Sequence, residues 1–407
     1  MIFLIALMLL SISRSTHVLS PAQSAARGYE YGLVRWEVSN FFDKWMNQAK
    51  EFIPGLGSSD EEKRRALDRY LELNNAITVS ERELDYEISA THPDPDRLIL
   101  LRKTLDGLES ERRGLRDDVE ELLESTIDAV LRDLGIGKLT ALTWPPVDFR
   151  MDATPPVLIT SPREIIQRND SILIDADIAL EERELIEAKV FELDSDLSAI
   201  VLSTGGVATF PAVIPDDRDL LPTLDVAAHE WLHAYLIFRP LGRAYWSSSE
   251  MTTLNETVAN IFGEEVGRFA YARLTGETLP PIEQIGSGHP SDMDVETFSF
   301  RAFMRETRIT ADEMLLDGDI EGAESYMEDR RIELQEHEIF IRKINQAYFA
   351  FKGSYGDNPA SVSPIGAQVR ELRTYVKSVG DLVKAVQSVT TYKEFIDVLE
   401  SKRTEHG

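Results

Sequence analysis

The sequence predicts an α+β chain that is predominantly helical, on three observations. Residues 60–134 carry two long helical patterns separated by a turn. A cluster of short apolar runs follows between about 157 and 214. From Leu224 onward nearly every segment has helical periodicity.

Residues 60–134 read as an antiparallel hairpin. Ser59 and Asp60 can cap the first helix, and His92-Pro93-Asp94-Pro95-Asp96 is a turn. The second helix places Leu98, Leu101, Leu105, Leu108, Leu115, Val119 and Leu122 at alternating steps of three and four, with Arg112 in one seam position. That is the repeat of a coiled coil. Gly135 and Gly137 end the helix, and Trp144-Pro145-Pro146 and Pro155-Pro156 mark an extended linker. Strands are expected at Val157 to Thr160, Ile172 to Ile174 and Ala199 to Ser203. Gly205-Gly206 then suggests a two-residue hairpin into a return strand, Val207 to Ile214. Pro211 places that strand at a sheet edge, where its open groups could pair with an extended peptide.

The net charge of −28 weighs against nucleic acid as a partner, since phosphate would be repelled. The 43% hydrophobic share is enough for a packed core, and the absence of cysteine excludes disulfides, thiolate metal sites and a cysteine nucleophile. Met1 to Leu10 is wholly apolar and Ile12 extends the run. The run is shorter than the ~20 residues of a membrane span and suits the apolar part of an export signal or a clipped anchor. The expected division is therefore 1–20 as export signal or membrane anchor, 21–140 as a helical region with the hairpin, and 141–407 as the chemistry-bearing domain outside the cytoplasm. Trp36, Phe41, Phe42, Trp45 and Phe52 form an aromatic stripe suited to packing on the next domain.

His229-Glu230-Trp231-Leu232-His233 lies in an amphipathic stretch, Pro222 to Phe238, with Thr223 as the expected cap. Two histidines four apart project from one helix face and can share a zinc ion, and Glu230 is then positioned as a general base. A third ligand should follow on a second helix returning antiparallel. Glu256, twenty-three positions after His233, is the leading candidate; Glu250, Glu264, Glu265 and His289 compete with it. Asn260, four positions beyond Glu256, could orient a ligand histidine.

The pair His-Glu-x-x-His and Asn255-Glu256-Thr257-Val258-Ala259 resembles the gluzincin zinc metallopeptidases, typified by thermolysin. It is most similar to bacterial predicted aminopeptidases that are exported or membrane-attached. Asn345-Gln346-Ala347-Tyr348 and Tyr355 stand where that group has an Asn-x-Ala segment followed by tyrosine. Asn260 stands where gluzincins carry an aspartate, and the spacing to Glu256 is longer. The resemblance implies a zincin-like domain over 141–407, one Zn²⁺ held by His229, His233 and Glu256, and hydrolysis of a peptide or protein substrate with Glu230 as base. For the oxyanion donor, Tyr355 is the first candidate, followed by Tyr348, Tyr245 and the loop residue His289. The alternative is a non-catalytic zinc-binding or interaction protein whose hairpin docks a partner.

Overall fold

The computed structural model describes residues 19–32, 58–139, 142–277 and 298–406. The apolar start, the aromatic stripe at 36–52 and His289 lie outside the described residues. No helix among the described residues is long and apolar enough to cross a membrane.

A short helix, α1 (Pro21–Ala25), precedes the hairpin of α2 (Asp60–Ile88) and α3 (Pro95–Asp133). Ser59 caps α2 in a reciprocal box with Glu62, and Asp94 caps α3. The seam buries Tyr70, Leu73, Leu123 and Ile127 at 1% exposure or less. Arg112 interrupts the heptads for a reason. Its guanidinium crosses to Asn74 Oδ1 of α2 at 3.0 Å and reaches the Asp216 carboxylate at 2.7 Å, the second bond tying the hairpin to the body. The base of the hairpin shares one continuous core with the helices that follow, including Leu131, Leu224, Leu232, Val258 and Phe262.

Among the described residues, seven short strands follow: β1 (Lys138–Leu139), β2 (Leu142–Thr143), β3 (Phe149–Met151), β4 (Val157–Pro162), β5 (Ser171–Leu173), β6 (Leu197–Leu202) and β7 (Ala212–Ile214), with α4 (Leu180–Leu193) between β5 and β6. They form three small sheets: an antiparallel β1–β2 pair, a parallel β3–β7 pair, and an antiparallel β5-β4-β6 sheet with Leu158 opposite Val201 and Ile172. The strands expected near 157, 172 and 199 are present. On β3, the N–H groups of Phe149 and Met151 donate to Glu124 and Glu120 of α3 at 2.9 and 2.7 Å. Alternate residues of a strand point their amides the same way, so two helix carboxylates satisfy one strand edge.

Two expectations fail here. Gly205-Gly206 does not turn one strand onto the next, because β6 pairs with β4 and β7 pairs with β3. Nor is Val207 to Ile214 an open edge strand. The segment folds back around Pro211, and Val207 and Val213 exchange both backbone bonds at 2.9 and 3.0 Å. The side of β7 away from β3 is thus closed by its own preceding residues, and peptide addition there has no free partners.

The helical body comprises α5 (Leu220–Leu236), α6 (Pro240–Arg243), α7 (Ser249–Thr275), α8 (Phe300–Leu316), α9 (Ile320–Glu336), α10 (Gln346–Lys352), α11 (Ile365–Thr374), α12 (Val379–Val386) and α13 (Tyr392–His406). Helices α8, α9 and α10 build a second core against β4 and β6, and α4 builds a third on the same sheet. Thr223 is not the cap of α5. The helix begins a turn earlier at Asp219, and the Thr223 hydroxyl donates back to the Asp219 carbonyl at 2.9 Å.

Candidate metal centre

Helices α5 and α7 run antiparallel, and small residues allow them to approach closely. A Cβ on Gly263 would stand 2.6 Å from the Asp225 carbonyl oxygen and 3.1 Å from the His229 Cβ; one on Gly267 would overlap the Asp225 carboxylate at 2.0 Å. This contact brings the motif of α5 against the Asn-Glu segment of α7. His229 Nε2 and His233 Nε2 are 2.9 Å apart, and Glu256 Oε2 lies 3.6 and 3.5 Å from them. The three ligand atoms lie within 4.8 Å of one another, so this group could hold a metal ion. Of the competitors, Glu250 is exposed at the start of α7, Glu264 faces Arg370 and Asp357, and Glu265 is bound by Arg373 at 2.6 and 2.9 Å.

The histidine and carboxylate side chains are only 15%, 14% and 8% exposed, and that burial sets the electrostatics. Burial and the neighbouring imidazole push His229 down to about 4. Burial raises Glu230 to about 7. Glu256 is driven the other way: burial would raise it, but the facing histidines outweigh that and hold it low. Two imidazole nitrogens at 2.9 Å can share one proton at most, and a divalent cation is the natural occupant of such a gap. Glu256 Oε2 is buried without a hydrogen-bond partner, the mark of an acceptor built for something other than a protein donor. Two imidazoles and a carboxylate are a donor set suited to zinc.

The support around the ligands is complete. His229 is held by the Asn260 side chain and the Ala259 carbonyl. The Asn260 amide in turn donates to Asp357 at 3.0 Å, and Asp357 faces Arg370 at 3.5 Å. An aspartate therefore stands behind the first histidine after all, one hydrogen bond further out. Asn255, 1% exposed, faces His233. Tyr245 donates to Glu256 Oε1 and lies edge-on to the His233 ring. Glu230 stays out of the ligand group and packs against Gly206, where a Cβ would stand 2.5 Å from its carboxylate oxygen. The glycine pair read as a turn thus serves a close approach to this acid.

Tyr355 lies among Glu256, Tyr245, Glu230 and Arg168, and burial followed by these carboxylates keeps its hydroxyl protonated. Tyr348 is elsewhere, buried in the second core. Asn345 caps α10 through Tyr348 N at 2.9 Å and ties that helix to the Ala199 carbonyl at 3.0 Å, which is a structural duty. Sequence reasoning missed Arg168 and Asp357. Each comes from a loop distant in sequence, with no spacing rule to connect it to the motif. Compared with known proteins, the chain matches no family model, no curated protein and no solved structure.

Proposed function

We propose that this chain is a zinc-dependent hydrolase of peptide bonds on a zincin-like scaffold of the gluzincin kind. The observation that carries the reading is the convergence of His229, His233 and Glu256, with a buried, partnerless carboxylate oxygen and a second acid, Glu230, outside the ligand group. A structural metal site has no use for that second acid. When bound, zinc would polarise a carbonyl and make a water acidic near ~pH 7. Glu230 takes the proton of the attacking water and delivers it to the departing amine. Its burial favours that double role, because a carboxyl raised to about 7 both accepts and returns a proton near neutrality. The Tyr355 hydroxyl makes no hydrogen bond among the described residues and is available to donate to the developing oxyanion. Asn260, Asn255 and Tyr245 hold the three ligands in place.

The test is metal analysis of the purified chain combined with a peptide-cleavage screen. One zinc per chain and cleavage that a chelator abolishes and zinc restores are expected; cleavage that survives complete metal removal would overturn the reading. The apolar start supports placement outside the cytoplasm. Fractionation of cells expressing the full chain should find it in the membrane or exported fraction, and recovery wholly in the cytosol would contradict this.

A further inference from the structure

We propose that Arg168 and Lys352 form an anion subsite beside the metal group, and that the substrate carries a carboxylate next to the bond that is cut. The position of that bond rests on the hydrolase reading above. In a chain of net charge −28, neither cation has a carboxylate partner among the described residues. Arg168 is nonetheless firmly positioned. Its Nε donates to Ser171 Oγ at 2.6 Å, and its guanidinium carbon lies 5.3 Å from the Trp246 ring centroid and 5.5 Å from that of Phe351. Nη1 and Nη2 make no bond to a carboxylate, and the planar fork suits one. Lys352, at the end of α10, is half-buried, and its Nζ lies 5.5 Å from the same Phe351 centroid. Burial and the nearby Arg218 push its pKa down, a cost that a bound anion would remove.

Arg168 adjoins the metal group directly, and Lys352 reaches it through the Phe351 ring. Tyr245, which donates to Glu256, stacks edge-on against Trp246 with centroids 4.7 Å apart; Tyr355 meets Phe351 edge-on at 6.0 Å. The Arg168 guanidinium also donates a hydrogen bond to the Tyr245 hydroxyl, so it stands one aromatic ring away from both the Glu256 carboxylate and the candidate oxyanion donor. Trp246 is 72% exposed, so the guanidinium is stacked on an open rim. Partly desolvated cations with no carboxylate partner, beside the candidate metal group, point to recognition of an anion. The carboxylate can be a chain terminus or an acidic side chain.

The probes are two matched peptide pairs: N-acetyl-trialanine against its C-terminal amide, and N-acetyl-Ala-Asp-Ala-amide against its Asn counterpart. Binding is measured by calorimetry to zinc-loaded Glu230→Gln protein, so turnover does not interfere. In at least one pair the carboxylate form should bind about tenfold tighter, the scale of one hydrogen-bonded charge. A preference in the first pair identifies a C-terminal carboxylate, and one in the second an acidic side chain. The preference should collapse when Arg168→Met is added, shrink with Lys352→Met and persist in part with Arg168→Lys. Equal binding within both pairs, or a preference that survives Arg168→Met together with Lys352→Met, would overturn the subsite. Wild-type cleavage of these peptides is scored separately. No cleavage with the preference intact counts against the hydrolase reading alone, and cleavage without preference against the subsite alone.

Discussion

Two antiparallel helix pairs stand out among the described residues, and they differ in what they bury. The hairpin α2–α3 buries leucines, a tyrosine and isoleucines along its seam, and its charges pair on the surface, as Arg69 and Glu111 do, or meet the body, as Arg112 and Glu120 do. The pair α5–α7 buries Glu230, Glu256, Asn255, Thr253 and Thr257 as well as apolar side chains such as Trp231 and Phe262, and glycines let its backbones approach closely beside the histidines. A seam optimised for stability would not desolvate two carboxylates and two imidazoles. On the function proposed above, α5–α7 is the pair that carries chemistry and the hairpin is its brace. The two pairs share one core, so the apolar burial of the hairpin also supports the pair with the buried polar groups.

Breaking each pair should have different consequences. Glu256→Ala removes one of three ligands and should leave the chain folded but unable to hold zinc at equimolar metal. Glu250→Ala, an exposed carboxylate on the same helix, should bind zinc normally. Metal content after gel filtration reads both, and the reverse pattern would displace Glu256 as the ligand. On the hairpin side, Leu123→Ala should cost about 2–5 kcal/mol of stability with zinc affinity unchanged under native conditions. Denaturant unfolding and metal titration together check this, and a large fall in affinity without unfolding would show that the hairpin shapes the site directly.

Gly263→Ala tests the point where packing and site meet. The added methyl would crowd the Asp225 carbonyl and the His229 Cβ, so a loss of about 1–3 kcal/mol should come with weakened zinc binding, unlike Leu123→Ala. A stability loss with unchanged zinc affinity would separate the two functions of the helix contact.

The smallest expected effect is a pH dependence at Asp225. Burial raises this carboxyl to about 7 in the folded chain, and Oδ1 has no hydrogen-bond partner. The folded state therefore binds its proton more tightly than the unfolded state does. Stability from this group is present at acid pH and declines as pH rises from the unfolded value of 3.8 through about 7. Asp225→Asn should remove that decline, so the variant gains on the wild type as pH increases from 4 to 8. Thermal melts across that range measure it, and parallel curves would contradict it.

Much of this was legible in the sequence where the determinants are local. Heptad spacing, Ser59 as a cap, the turn at His92 to Asp96 and the i, i+4 histidines each fix geometry within a few residues, and the structure has the hairpin and the histidine helix where those patterns put them. Glu256 needed one long-range step, the antiparallel return of α7, which the intervening loop made feasible. Other features depended on tertiary context. Gly205-Gly206 has the composition of a turn but serves close packing on Glu230, and Pro211 bends its segment back on itself instead of lining an edge. Asp357 and Arg168 reach the site from loops whose sequences carry no spacing signal. Nothing along the chain announces that Asn260 passes a hydrogen bond to an acid ninety-seven positions away.

The central claim is that α5–α7 binds zinc and catalyses with separate residues, and Glu230→Gln tests it most directly. The substitution keeps side-chain size and removes the base from a position outside the ligand group. Zinc content measured alongside turnover of a cleaved peptide should give one metal per chain, as in the wild type, with turnover lower by about 10²–10⁴. Wild-type turnover in Glu230→Gln, or loss of its zinc, would contradict the account.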